Sequence, residues 1–509
     1  MTSFRRLLLR NAGQDFNRAM MRDALCGRIM GPEDLDASAY RPVVVYVNGE
    51  YWGIQNLRER HDKHYPEAHH GASTEAIDLL EGGGWDEHEG DNKHYFSVCE
   101  YLELNDLSDP AMYERARQVI DVEELCTYAI SEDFFLNDDW PNNNVKFWAP
   151  RTLDGKWRWF QYDFDGSMGA WGTGPSESHL EVVFGGSNRL TQLLKDLHES
   201  PTFRRDFANR YLDLLNTTLS PANTLNILRH AAADIRAEVQ RHLDRWFQPD
   251  HNWESDIHEL EDFLQQRPVY ARQQLAAFFQ LGPSHRLSLD VIPPRTGSIQ
   301  LNSLQVKGPF EGDYLQGNPV TLTARTRPGF SFGGWSDGVS TPTRTVDLSA
   351  DLSLTAHFHH GPAGSGRAVI AEIQYNSADE HDCGDWVELQ NPGAAWLDIG
   401  GWSLSDDQLD QSWAIPVGTM LEPGVPLVVA RDLEQFSAYH PGVNAIGPFH
   451  FGLSGAADSV RLFDASGALV DEVSYTDELP WPVSADGTGR ILELIVKIEH
   501  GVETLVVLR

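Results

Sequence analysis

Residues 132–169 read EDFFLNDDWPNNNVKFWAPRTLDGKWRWFQYDFDGSMG. Inside this stretch, VKFWAP and KWRWFQYDF alternate in the manner of two strands. The segment Arg151 to Gly155 between them carries Asp154-Gly155, a hairpin turn signal. An antiparallel hairpin follows, with Asn144 entering the first strand and Asp163 leaving the second, so its open end brings the two together. Asp138, Asp139, Asn142, Asn143, Asn144, Asp163 and Asp165 crowd that end. Carboxylates and amides grouped in this way suit a hard cation such as Mg²⁺, which prefers oxygen ligands. A plainer reading stands beside it. Asp and Asn are turn residues, and NDDWPNNN is also what a polar loop capped by its own side chains looks like. The position of both clusters at the ends of one hairpin favours the cation site.

The spacing Asp139-x4-Asn144, followed by Asp163-Phe164-Asp165, resembles the layout of protein kinases. There, a loop supplies an acid and a metal-binding Asn, and a DFG-type Asp holds metal against the phosphates. Four stretches narrow the resemblance: LRNAGQDFNRAMMRDAL at 9–25, YRPVVVYVNGEYWGIQNLRERHD at 40–62, LNDDWPNNNVKFW at 136–148 and KWRWFQYDFDGSMG at 156–169. Together and in this order they resemble the spore-coat protein H (CotH) kinases, a group of atypical protein kinases, over residues 1–281. The resemblance implies ATP and Mg²⁺ (or Mn²⁺) as cofactors and phosphoryl transfer to Ser or Thr of a secreted or cell-surface protein. It implies Asp139 as the catalytic acid of the loop and Asn144 and Asp163 as metal ligands, with Asp165 as a further metal candidate. Such domains begin upstream with a β-rich part carrying an ATP-contacting lysine, so the chain is expected to lack that part or to start late. The alternative is a catalytically lapsed structural or adhesion protein of the cell surface.

Outward from the hairpin, residues 15–30 read as a helix with Asp15 as its N-cap and Gly31-Pro32 as its stop. In a kinase-like lobe this helix would lie beside the nucleotide, and Arg22-Asp23 would orient the phosphates; a salt-bridged helix surface is the alternative. VVVYV and YWGIQNL flank Asn48-Gly49, a strong two-residue hairpin signal. Arg58-Glu59-Arg60 ends the second strand, where a kinase-like hinge would pass the adenine, which makes Glu59 a nucleotide-side candidate. Residues 66–95 are rich in Gly, His, Asp and Glu and read as a mobile loop over the cleft. Their histidines, His69, His70, His88 and His94, match no tetrahedral zinc spacing. GAWGTGPSESHL after the hairpin reads as a substrate-side flap, and 189–280 as amphipathic helices punctuated by Pro201, Pro221 and Pro249.

Composition shifts at Gly282-Pro283. Residues 286–360 carry short alternating strands with Gly and Pro turns. PGFSFGGWSDG and LTAHF there resemble the InlB B-repeat type, a spacer or adhesion fold. GPAGSG is a flexible linker. Residues 367–495 hold evenly spaced strand-like runs, the pattern of a β-sandwich. IAEIQYN, DWVELQNPG, LDIGGWSLSD, LSGAADSVRLFDASGALVDEVSY and WPVSADGTG resemble the lamin tail domain, an immunoglobulin-like fold. VKIEHGVETLVVLR departs from that pattern.

The 509 residues therefore read as a multidomain chain: an α+β kinase-like domain, a small all-β domain and an all-β sandwich. Its formal charge of −35 disfavours nucleic acid and anionic membrane as partners. Residues 368–490 hold 20 Asp and Glu against 3 Lys and Arg, nearly half of that charge. Cys26, Cys99, Cys126 and Cys383 are widely spaced with no C-x-x-C, which speaks against a zinc site or disulfide framework. The run LLL near the N-terminus is too short for a signal-peptide core or a transmembrane span. The resemblance nevertheless implies an extracellular or cell-surface location, with surface or matrix partners reached through the β domains.

Overall fold

The computed structural model describes residues 6–152, 154–246, 250–294, 296–326, 330–360, 368–377, 382–393, 395–408, 411–477, 492–499 and 502–507. In chain order the first elements are β1 (Leu7–Arg10), α1 (Arg22–Met30), β2 (Asp36–Ala37), β3 (Tyr40–Val47) and β4 (Glu50–Glu59). Strands β1-β4-β3 form one antiparallel sheet. The β3–β4 hairpin turns at Asn48 and Gly49, with φ of 51° and 85°, the left-handed pair that a type I′ turn demands.

Next come α2 (His64–His70), β5 (Ile77–Glu81), β6 (Asp86–Glu89), α3 (Lys93–Leu104), α4 (Pro110–Val119), α5 (Val122–Phe135), β7 (Lys146–Pro150) and β8 (Arg158–Gln161). The hairpin expected around Asp154-Gly155 is β7–β8, pairing Phe147 with Trp159 and Trp148 with Arg158. It lies inside a second sheet of order β2-β8-β7-β5-β6. Trp148, Trp157, Trp159 and Phe160 are all buried there.

Two sequence expectations change. Residues 66–95 are not a loop over the cleft, since β5 pairs along β7 from Ile77↔Pro150 to Glu81↔Lys146 and buries Ile77, Leu79 and Leu80. The short IDLLE run was masked by its Gly- and His-rich flanks. The helix expected from residue 15 begins only at Arg22. Asp15 still acts as a cap at a distance, accepting the N–H groups of Ala19, Met21 and Arg22 at 3.1, 2.8 and 2.9 Å. The segment between is a 3₁₀ turn and a tight coil, not a continuous helix.

A helical layer completes the region: α6 (Leu180–Val183), α7 (Arg189–Leu197), α8 (Pro201–Asn216), α9 (Pro221–Arg245) and α10 (Trp253–Phe278). Pro201 and Pro221 each open a helix, the position where a missing N–H costs nothing. Pro249 lies outside the described residues.

Residues 284–360 form two four-stranded sheets. They are not an independent spacer, because one apolar core runs from Ala19 through Phe358. Residues 368–477 form a sandwich with its own core, from Ala368 to Tyr475. A strand at Leu492–Glu499 joins its larger sheet through Leu492 and Glu493, and the divergent stretch pairs on itself, Val496 with Leu505 and Glu499 with Val502. WPVSADGTG lies outside the described residues. No helix among the described residues is long and apolar enough to cross a membrane, and the four cysteines are buried and free.

Candidate active site

The open end of the β7–β8 hairpin is where the expected residues meet. Asn144 Nδ2 donates to the carbonyl oxygen of Asp163 at 3.1 Å and reaches Asp139 Oδ2 at 3.5 Å. Asn143 Nδ2 donates to Asp139 Oδ1 at 2.9 Å. Four non-glycine residues of this stretch hold left-handed φ: Leu136 (50°), Asn144 (61°), Asp163 (65°) and Met168 (48°). Asn and Asp tolerate that region better than most residues; Leu and Met do not. Strain concentrated in this way is common where side chains are aimed for function.

After β8, the turn Asp163-Phe164-Asp165-Gly166 is held from both sides. Phe164 is buried against Phe135, ring centroids 6.0 Å apart, and its N–H donates to Asp23 Oδ1 at 3.1 Å. Asp165 Oδ2 accepts the N–H of Gln14 at 2.7 Å. A Cβ on Gly13 would fall 1.8 Å from that same oxygen, so only glycine permits the approach. The Asp163 side chain stays 31% exposed while that of Asp165 is 4% exposed.

Arg10, at the end of β1, joins the carboxylates. Its Nη1 pairs with Asp23 Oδ2 at 2.8 Å, and its Nη2 contacts Asp163 Oδ1 and lies 3.3 Å from Asp165 Oδ2. Arg58 of β4 holds Asp23 as well. Burial pushes the Asp165 carboxyl above its ordinary value and the Asp163 carboxylate adds to this, against Arg10 and the Gln14 N–H. For Asp23 burial also opposes ionisation, but Arg58, Arg10 and the Phe164 N–H outweigh it and bring the group down to about 2.

The two nucleotide-side candidates lie elsewhere. Arg22 is fully buried and pairs with Asp15, so it stiffens the entry to α1; its neighbour Asp23 faces the Asp163–Asp165 turn. Glu59 points away from Arg58 along β4. It accepts the Ala39 N–H at 3.0 Å and lies 3.1 Å from His69 Nε2, tying α2 to the sheet. The other histidines bind carboxylates singly, His70 on Asp36 and His88 on Glu81, while His94 lies beside the Trp157 ring. Asp138 turns from Asp139 toward Thr173, which donates to it at 2.6 Å. The expected flap is pinned: buried Arg267 donates to the carbonyls of Pro175 and Glu177 and to Asp133. Arg10 and Arg267 escaped the sequence reading, although Arg10 sits inside the quoted LRNAGQD, and Arg58, read only as part of a hinge, holds Asp23 instead. Each has partners far along the chain that no local pattern announces.

Among the described residues, no group of three or more His, Cys, Asp and Glu is arranged to hold a metal ion. Mg²⁺ that also binds substrate phosphates needs only one or two protein carboxylates. Asp163, Asp165 and the Asn144 amide oxygen supply an all-oxygen set of that size, so the residues fit Mg²⁺ or Mn²⁺ carried with a nucleotide.

A helical layer against a mixed sheet, with an Asp/Asn loop and a DFG-like turn at one hairpin mouth, is the class of arrangement expected of a kinase-like domain. Comparison with known families agrees. Residues 1–271 match the CotH kinase protein family, 303–362 the divergent InlB B-repeat domain and 362–477 the lamin tail domain. The first match covers more than half of the chain, which belongs to the CotH kinase protein family. No curated protein matches it. Among solved structures, a DUF4876 family protein from Bacteroides thetaiotaomicron is similar at 10% identity, over 43% of this chain and 87% of that one, with a TM-score of 0.21.

Proposed function

We propose that the chain transfers the γ-phosphoryl group of ATP, with Mg²⁺ or Mn²⁺, to Ser or Thr hydroxyls of an extracellular or cell-surface protein. The observation that carries this reading is the Asn144 amide held between the Asp163 backbone and the Asp139 carboxylate. Asp163 and Asn144, with Asp165 behind them, hold the ion, which when bound neutralises charge on the phosphates. Asp139, fixed by the amides of Asn143 and Asn144, has no cation pair among the described residues and orients or deprotonates the acceptor hydroxyl. Such chemistry is chiefly positioning and electrostatics. A formal charge of −35 supports a protein acceptor over nucleic acid.

One observation favours the second reading, a lapsed scaffold: Arg10 already neutralises Asp163. The test is a melting series with Mg²⁺-ATP and a transfer assay from γ-labelled ATP to casein or to the chain itself. The intact chain should melt higher with Mg²⁺-ATP, since a ligand bound only by the folded state stabilises it. Asp163→Ala should lose the shift. Asp139→Ala should keep the shift and lose transfer. Absence of any shift in the intact chain leaves the scaffold.

A further inference from the structure

The position of Arg10 has a chemical consequence for the nucleotide site, and it rests on the kinase reading above. Arg10 ends a strand and is bound through Nη1 to Asp23 on the helix α1 packed beside it. A strand cation paired with a helix acid, next to the metal-holding Asp of the DFG-like turn, is what phosphoryl transfer in kinases requires. Among the described residues, the ion pairs of Asp163 and Asp165 are both with Arg10. We infer that Arg10 is the phosphate-binding cation of this site: it stays tied to Asp23 through Nη1 and exchanges Asp163 for nucleotide phosphate oxygens through Nη2.

Three features favour the exchange. Arg10 and Arg58 are two cations facing three carboxylates, Asp23, Asp163 and Asp165. Arg58 sits two positions from Asn56, the register partner of Arg10, so it lies on the same face of the sheet. It holds Asp23 ionised whichever way Arg10 turns. Next, the Arg10 side chain is 21% exposed, so it is not sealed from solvent. Last, a divalent ion on Asp163 competes with Nη2 for the same carboxylate. A half-buried N–H left without an acceptor is costly, and phosphate oxygens match the planar fork of arginine well. Arg10 therefore lowers the affinity of the site for bare metal and raises it for metal with nucleotide.

Those opposite signs make the test. Mn²⁺ binding is measured on the full chain by electron paramagnetic resonance, alone and then with ATP present. In Arg10→Gln, Mn²⁺ alone should bind about tenfold tighter, because a neighbouring positive charge is gone. Mn²⁺-ATP should bind at least about tenfold weaker, the loss of one charge-assisted contact. A residue that merely held the fold would weaken both. Changes of the same sign, or no change in either, overturn the inference. Should Arg10→Gln fail to fold, Arg10→Lys replaces it. The ammonium keeps the charge and cannot span Asp23 and phosphate together, so Mn²⁺-ATP should weaken about fivefold with Mn²⁺ alone little altered; wild-type affinity for Mn²⁺-ATP in that variant overturns it. Binding of Mn²⁺-ATP by the intact chain with no Arg10 effect sinks only this role for Arg10, whereas no binding by the intact chain sinks the kinase reading and this inference with it.

Discussion

His242 of α9 shows how closely single atoms tie the helical layer to the β3–β4 hairpin. Its Nδ1 accepts the N–H of Ile54 at 3.0 Å. It can do so because Gly53, at φ 127°, has no Cβ; one would sit 2.7 Å from that nitrogen. Burial brings the imidazole down to about 4, against an ordinary value near 6.5 for the unfolded chain. Between those values the unfolded chain takes up a proton that the folded chain refuses. The stability is therefore complete above the unfolded value and drains away as pH falls through the window. Between pH 7 and pH 5 the folded state should lose about 2 kcal/mol through this residue. His242→Gln, whose amide oxygen still accepts the N–H, should flatten that part of the pH dependence in thermal melts; an unchanged slope would count against it. At this scale the sequence was half legible. Asn144 and Asp163 were readable because a hairpin turn announces which residues share its open end. Arg10 was not, since its partners Asp163 and Asp165 lie 153 and 155 positions away. For Arg22 the two readings stayed open, because an arginine on a helix looks the same from the sequence whether it faces a ligand or, as here, a buried acid.

Among elements, α10 has the most consequential single contact. Arg267 and Asp133 are both fully buried. Arg267 donates to Asp133 Oδ2 at 3.0 Å, to the Phe134 carbonyl at 2.9 Å and to the carbonyls of Pro175 and Glu177. One side chain thus fixes the C-terminal end of α5, from which the Asp139 loop departs, and the segment that follows the DFG-like turn. Arg267→Met should cost about 3 kcal/mol or more, because it strands the Asp133 carboxylate in the interior. The companion Asp133→Asn/Arg267→Met should recover at least about 1 kcal/mol of this, since the uncompensated charge is removed. Urea unfolding of the two variants measures both. Equal losses would mean that Arg267 acts through packing alone. Long elements with clear periodicity, α8 to α10 and both hairpins, were legible. The five-residue strand β5 and the late start of α1 were not. A short apolar run has no period of its own, and Asp15 caps N–H groups four to seven residues ahead in place of the usual two or three.

At the scale of the whole molecule, three modules were legible from composition and motif, and the way they join was not. The polar face of α8 grips the first β module: Asn209 donates to the Pro319 carbonyl at 2.9 Å and Asn216 to that of Asp313 at 3.1 Å. At the centre, Asp213 accepts from Tyr314 Oη at 2.8 Å, from Ser303 Oγ at 2.7 Å and from the Ser303 N–H at 3.1 Å. An acid on a helix otherwise rich in charge reads as a solvated face, and only the β module arriving from residue 302 onward shows what it is for. With one core spanning Ala19 to Phe358 and another within 368–475, calorimetry should resolve two transitions, the larger containing the kinase-like region and the first β module together. Asp213 marks that transition. Burial lifts its carboxyl to about 6 despite four donors, the fourth being Asn302 Nδ2 at 3.3 Å, above an unfolded value near 3.9. Below about pH 6 the folded state holds a proton that the unfolded state releases until about pH 4, so this group favours folding as pH falls. From pH 7 to pH 5 it should add about 1 kcal/mol to the larger transition, and none to the sandwich. Asp213→Asn should remove that pH-dependent gain while lowering the larger transition at both pH values, because an amide cannot accept all four bonds. A β module that melts separately in the intact chain, or a pH gain that survives the substitution, would show that the grip of α8 is not what joins the two.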